Sequence, residues 1–213
     1  MSVMFPLFSK FYISSKNSLK MSFNKSLKFI TIIAVPIGVG TTILSSEIII
    51  FIFGNEYAPS GSVLRILIWA SVLSFINMIP ATLLNSTNKQ KELMTFTAIG
   101  AFVNLLMNYL LIPSFSYEGA GIATVITEFT VGLLMIYYIQ KRQDVLVPFW
   151  DTVYRSLISA ITMGIYISIF KSIPLMFLIP LASIMYFVSL SIMSGIGKDD
   201  LQLLNQVWDD KNG

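Results

Sequence analysis

The chain has 213 residues, 55% hydrophobic and only 12% charged, with a mean hydropathy of +0.76 and a formal charge of +3. Soluble domains carry about 25% charged residues, so half that fraction points to an integral membrane protein and not to a large soluble core. The absence of cysteine and histidine excludes disulfides, thiolate nucleophiles, Cys/His metal sites and imidazole acid–base chemistry.

Residues 1–28 hold Lys10, Lys16, Lys20, Lys25 and Lys28 and no acid, interleaved with Phe5, Phe8, Phe11, Leu19 and Phe23. This pattern predicts a basic amphipathic segment at a membrane surface over 1–26. An acid-free start also resembles a transit peptide, but arginine is absent and a long apolar run follows directly. That run, 27–53, is longer than a bilayer core about 30 Å thick requires, and Pro36, Gly38 and Gly40 supply a place to bend. Further spans are predicted over 63–84, 93–112, 118–139, 152–170 and 174–196. A turn-rich loop is expected at 54–62 and a polar loop at 85–92. The third span is expected to stop at Pro113 and the fourth to begin after a short turn, 114–118. Arg155 lies close to the start of the fifth span. The polar tail, 197–213, places Leu201, Leu204 and Trp208 near one helical face, which fits either a second interfacial helix or a frayed end. The fold class is therefore all-α integral membrane, six transmembrane helices with interfacial amphipathic segments at both ends.

Orientation follows from lysine and arginine. With six spans both termini share a side. That side carries the five N-terminal lysines, Lys89, Lys91, Lys141, Arg142, Arg155, Lys198 and Lys211; the other keeps only Arg65 and Lys171. Both termini are thus expected in the cytoplasm of a cell (plasma) membrane, with the loops at 54–62, 113–118 and 171–174 outside. The N-terminal lysines suit anionic lipid headgroups better than nucleic acid, and no phosphate loop, metal spacing or cofactor motif appears. No nucleic-acid partner, cofactor or metal is expected.

The run FVNLLMNYLLIP (102–113), followed by SYEGAGIATVITE (116–128), resembles the second half of polysaccharide flippases. These are the O-antigen and lipid-linked oligosaccharide exporters of the multidrug/oligosaccharidyl-lipid/polysaccharide superfamily. Three more stretches fit in order: Phe5–Pro6–Leu7–Phe8–Ser9 is similar to the family's inward loop, IIFIFGNEY ending at Tyr57 to its Phe-Gly-x-x-Tyr span end, and ATLLNSTNKQK (81–91) to its exit into a basic loop. The likeness runs from about Met4 to Arg142; beyond it only hydropathy agrees. It implies a two-lobed transporter of about fourteen spans with alternating access, of which the six spans here form the last lobe. The expected partners are a polyprenyl-linked oligosaccharide, membrane lipids and a missing N-terminal lobe, from the same full-length chain or a separate subunit. The expected role is flipping of the lipid-linked repeat unit.

Within the spans, Glu128 sits near the bilayer midplane, where a carboxylate costs on the order of 2.5–3.5 kcal/mol and must face protein or water. It fits a proton or cation site, a headgroup contact, or a structural hydrogen bond. Gly121, Thr124, Glu128 and Gly132 share one small, polar face. Asn104 and Asn108 share a face with Gly100 and fit either sugar hydroxyls or helix bridging, with the Gly100 and Gly121 faces packing the two helices together. Asn77 lies on a polar face of the second span with Ala70, Ser74 and Ala81, fitted to packing or to lining water. Arg65, at an outward end, fits either a pyrophosphate or snorkelling to headgroups. Glu47 either pairs with Arg65 or reaches the interface. These groups need no catalysis: the outward loops hold only Glu56 and Glu118 as acids, and no enzyme is expected. Rival readings are a drug or cation exporter of the same superfamily, and a non-transporting membrane scaffold or accessory subunit.

Overall fold

In lipid a backbone can satisfy its own hydrogen bonds only as helix or closed barrel, and these long apolar runs take the first course. The computed structural model describes residues 4–143 and 149–193, and among them every regular element is helical. The elements are α1 (Met4–Ser14), α2 (Lys16–Phe53), a 3-10 turn (Asn55–Tyr57), α3 (Ser60–Ser86), α4 (Gln90–Gln143), α5 (Phe149–Ile169) and α6 (Leu175–Ile192). Helices α2, α3, α4 and α6 are long and apolar enough to cross a membrane, and the apolar stretch of α5, Val153–Ile169, is shorter. The expected tail, 197–213, and part of the polar link before α5, 144–148, lie outside the described residues.

The break between α1 and α2 is a side-chain cap. Ser15 is extended (φ −162°) and its hydroxyl accepts the Ser18 backbone N–H at 3.3 Å. Pro6 falls in the first turn of α1, where its missing N–H costs nothing, so the stretch expected as an inward loop is helix. The lysine-rich stretch from Lys16 onward is continuous with the first span, giving one helix of 38 residues. Part of the apolar face expected at a membrane surface is spent on protein instead. Phe8, Leu19 and Phe23 are buried against Leu83, Leu84, Met135 and Ile139, while the Ser9 hydroxyl donates to the Ser86 carbonyl at 3.2 Å. Only one side is covered, and Ile13 stays 89% exposed.

The predicted polar loop at 85–92 shrinks to three residues. Asn88 takes φ +58°, which lets the Lys89 N–H reach back to the Leu84 carbonyl at 2.8 Å and the Thr87 N–H to Leu83 at 3.1 Å, a left-handed helix stop. Gly54 ends α2 differently, at φ +94° and ψ 171°, a conformation open to glycine, with its own N–H on the Ile50 carbonyl at 2.9 Å.

Helix α4 is a hairpin. Its 54 residues are interrupted at Ser116 (φ 51°, ψ −132°), not at Pro113, which lies inside the first arm. Proline removes one N–H but leaves the downstream turn free to continue. The reversal comes where the arms must close, and at Gly119 the second arm reaches the Leu111 backbone. Each arm, 90–115 and 117–143, is about 40 Å long at ~1.5 Å per residue, enough for one crossing. The arms run antiparallel along their whole length: Gly119 meets Leu111, Asn104 meets Thr127, Gly100 meets Val131, and the Tyr138 hydroxyl donates to Glu92 Oε1 at 3.0 Å.

Helix α2 is the spine. On one side it packs α3 through small residues: Gly38 against Val72 and Trp69, and Gly61 of α3 against Ser46. On the other it packs α5 through Gly164, which faces Val39 and Ile43. A second core there joins Ile32, Val35, Leu44, Met163, Ile167, Leu178, Tyr186 and Leu190 of α2, α5 and α6. Pro36 bears on both. It has no N–H for the Ile32 carbonyl four residues earlier, and the buried Tyr186 hydroxyl donates to that carbonyl at 2.8 Å. The outside is apolar: Phe102, Leu105 and Tyr109 on α4 are 69%, 73% and 78% exposed, the inversion expected where the surrounding solvent is lipid.

Candidate functional site

The α4 hairpin and α3 enclose an open cavity of about 820 Å³. Its walls come from helix periodicity. On α3, Ser74, Asn77 and Ala81 recur at three- and four-residue spacing; on the second arm, Thr124, Glu128, Val131 and Met135 do the same; Thr97, Gly100 and Asn104 supply the first arm. The volume lies within the range of small-molecule sites.

Three of the six sequence candidates, Asn77, Asn104 and Glu128, meet in this cavity. Asn77 spans from α3 to the second arm. Its Nδ2 donates to the Glu128 carbonyl at 2.8 Å and to Glu128 Oε2 at 3.0 Å. The approach is possible because residue 132 is glycine: a Cβ there would stand 2.4 Å from Asn77 Oδ1. Glu128 itself is half-buried. Asn104 Nδ2 donates to Thr127 Oγ1 at 3.1 Å across the hairpin, and Asn108 Nδ2 donates to Asn104 Oδ1 at 2.9 Å. Asn108, one turn further along the arm, does not line the cavity. The asparagine pair thus bridges the two arms. Gly121 does not join that contact as expected; it packs on α3 against Ile66 and Leu67, because the face it shares with Glu128 is turned toward α3.

Glu47 and Arg65 are not in the cavity. Glu47 pairs with Lys171 at 3.0 Å, linking α2 to the α5–α6 turn, in place of the expected Arg65 partner. Arg65 is exposed on the first turns of α3 and close enough to add to the positive field at Glu47. Both partners of the Glu47–Lys171 pair are 40% or more exposed, so its contribution is small, on the order of 0–1 kcal/mol.

The sequence reading passed over Thr127, Thr97 and Ser71, all in the cavity wall. Thr127 carried only part of a signal: reflecting Asn104 across Ser116 lands on its neighbour Glu128, one residue off. Thr97 and Ser71 carried none, since lone hydroxyls in apolar helices usually bond their own backbone. The polar groups of the site offer hydrogen bonds and one carboxylate. Among the described residues no three His, Cys, Asp or Glu side chains gather as they would to hold a metal ion.

The chain is 26% identical to the probable low-salt glycan biosynthesis flippase Agl15 of Haloferax volcanii, over 76% of this chain and 36% of that one. It is 29% identical to the capsular polysaccharide biosynthesis protein CapF of Staphylococcus aureus, over 66% and 35%. It therefore spans about a third of the length of the curated relatives it matches. The fold is that of a solved lipid II flippase MurJ in an inward closed conformation, with a TM-score of 0.75 over 92% of this chain and 42% of that one, at 16% identity. Residues 1–193 match the family profile described as lipid II flippase MurJ, nearly the whole of the sequence. The chain belongs to the lipid II flippase MurJ family.

Proposed function

We propose that the chain is the C-terminal lobe of a transporter that flips a lipid-linked oligosaccharide across the cell membrane by alternating access. The observation that carries this is the cavity between α3 and the α4 hairpin, where Asn77, Asn104 and Glu128 meet in an otherwise mostly apolar wall of a helical chain of this family. A sugar head needs such a wet, hydrogen-bonding recess in the membrane, while the polyprenyl tail stays in lipid. The other lobe, from the same or a second chain, closes the opposite side. Glu128 is the cavity's charged group among the described residues and the candidate for coupling to an ion gradient.

The test is export of the lipid-linked glycan in cells that depend on this protein. Glu128→Gln is expected to lower export about tenfold, the size of one charge-assisted hydrogen bond of about 1.5 kcal/mol, and to flatten its dependence on pH or sodium. Full transport with an unchanged ion dependence would remove Glu128 from the mechanism. A second test addresses topology. Ser114 stands exposed at the hairpin tip, and the chain has no native cysteine to confuse the readout. In intact cells Ser114→Cys is expected to react with membrane-impermeant thiol reagents, as cytoplasmic termini require. Protection of that cysteine until the cells are opened would invert the orientation.

A further inference from the structure

The stripes that line the cavity run on past its end, away from the Ser116 turn. On the first arm Asn104, Gly100, Thr97 and Leu93 recur at three- and four-residue spacing, and the next step is Lys89. The Leu93 N–H bonds the Lys89 carbonyl at 3.1 Å, so the lysine keeps the helical register. On the second arm Glu128, Val131 and Met135 lead on to Tyr138 and Arg142. At ~1.5 Å per residue, Lys89 stands about 6 Å beyond Leu93 along its arm and Arg142 about 10 Å beyond Met135. Glu92 draws the two ends together: its Oε1 accepts the Tyr138 hydroxyl at 3.0 Å and has Lys89 Nζ at 3.8 Å. That separation makes an ion pair and not a hydrogen bond, so the ammonium protons stay open to a ligand. Lys89 and Arg142 both bring positive field to the Tyr138 hydroxyl, and Arg142 is exposed. The other two cations at this end point elsewhere. Lys91 lies about 200° round the helix from Lys89, and Lys141 is held by Tyr137, donating to its hydroxyl at 3.0 Å with the ammonium 5.3 Å over the ring. No lysine or arginine lines the cavity itself among the described residues.

We infer that Lys89 and Arg142 form a phosphate site at the end of the cavity, and that it takes the diphosphate joining the sugar to its isoprenoid anchor. A lipid-linked sugar presents three chemistries in fixed order: hydroxyls, phosphate, hydrocarbon. The cavity answers the hydroxyls with amides, side-chain hydroxyls and one carboxylate. The phosphate is answered one step further along the same stripes. A guanidinium forks two phosphate oxygens, and an ammonium adds a point charge beside it. Two cations from two arms, brought together by the Glu92–Tyr138 bond, suit two linked phosphates. Glu92 leaves the balance positive, since it is one acid among Lys89, Lys91, Lys141 and Arg142 in the described part of this end. The site also falls where the apolar arms give way to polar residues, the depth at which an anchored phosphate leaves the hydrocarbon. Continuity with the cavity stripes favours the phosphate of the substrate over that of a bystander phospholipid. The inference rests on the reading of the cavity as the sugar site and deepens it by giving the charged link of the substrate its own residues.

The experiment is isothermal titration of the full chain in neutral maltoside micelles with farnesyl diphosphate, and with phosphatidylglycerol as the competing phosphate. Lys89→Gln and Arg142→Gln are each expected to weaken farnesyl diphosphate about tenfold, the effect of one charge-assisted hydrogen bond. Arg142→Lys keeps the charge but loses the fork, and is expected to recover part of that loss. Lys91→Gln and Lys141→Gln remove the same charge off the stripe, where solvent screens it, and are expected to leave the affinity within about twofold. Equal weakening by all four glutamine variants would replace the site with a diffuse positive field and overturn it. Phosphatidylglycerol that displaces farnesyl diphosphate at equal concentration would make this a headgroup site and overturn its assignment to substrate. Absence of farnesyl diphosphate binding, or binding unchanged when Lys89 and Arg142 are both glutamine, would remove the site altogether. None of these outcomes bears on the cavity or on transport, which the export assay with Glu128→Gln reads separately.

Discussion

Tyr186→Phe is expected to destabilise the chain by about 1–3 kcal/mol, the cost of leaving one buried carbonyl unsatisfied, and Pro36→Ala is expected to erase most of that cost. The argument is a count of donors. In an unbroken helix the N–H of residue 36 would serve the Ile32 carbonyl, but proline has none to give. The Tyr186 hydroxyl, reaching over from α6, takes its place at 2.8 Å from a side chain only 1% exposed. Phenylalanine keeps the ring and the packing and removes only the proton. Alanine at position 36 returns the backbone donor, so the same Tyr186→Phe change then strands nothing. Tyr186→Ala should cost about 3–5 kcal/mol, because a cavity is added to the lost bond. The measurement is a double-mutant cycle by unfolding in mixed detergent micelles. An equal Tyr186→Phe penalty with proline and with alanine at position 36 would show that the hydroxyl does not stand in for the missing N–H.

The second large effect is expected at Gly119. A Cβ there would lie 2.5 Å from the Leu111 carbonyl oxygen and 2.7 Å from its carbon. Both are backbone atoms, so no rotamer change relieves the contact, and the arms of the hairpin must part. Gly119→Ala is expected to cost about 1–3 kcal/mol as overpacking, with more for valine. The damage spreads, since separated arms also lose the Asn104–Thr127 bond that lines the cavity. Gly100→Ala is the control. Its Cβ would come even nearer, 2.4 Å, but to a Val131 methyl, a side-chain atom that can shift without parting the two backbones. Thermal unfolding should rank Gly119→Ala well below Gly100→Ala in stability; the opposite order would mean that the hairpin is not closed by its backbone contact.

Hydropathy carried much of this architecture, because a helix in lipid needs only length and apolarity to be recognised. The predicted spans overlie α2, α3, the two arms of α4, α5 and α6; α3 and the arms of α4 run past both predicted ends and α2 past its first, while α6 is shorter than predicted. Lys16 to Lys28 looked like a separate surface segment because charge marks exposure, while the helix beneath is set by backbone bonding and is indifferent to it. The hairpin break was misplaced at Pro113 because proline ends a helix only when something downstream fails to continue it. Asn77 and Glu128 were each legible as polar residues on small faces, but their hydrogen bond was not. It depends on how α3 lies across the second arm and on the space left by Gly132, a tertiary fact. Glu47 and Lys171 stand 124 positions apart, and no periodicity links them. The Asn104–Thr127 contact was only half legible, since mirroring Asn104 about Ser116 gives Glu128, one residue off.

The length of α2 has a mechanical meaning. From Pro36 back to Lys16 the helix extends about 30 Å, at ~1.5 Å per residue. With Pro36 as a pivot it has the geometry of a lever: Tyr186 of α6 holds it at Ile32, one turn along the long arm, and the far end of that arm packs on α1 and on the C-terminal end of α3. A tilt of about 10° at the pivot swings the far end by about 5 Å, one helical pitch. A tilt of that size in the α2–α5–α6 core would displace the end of α2 that packs on Leu83, Leu84 and Met135, and Met135 also lines the cavity.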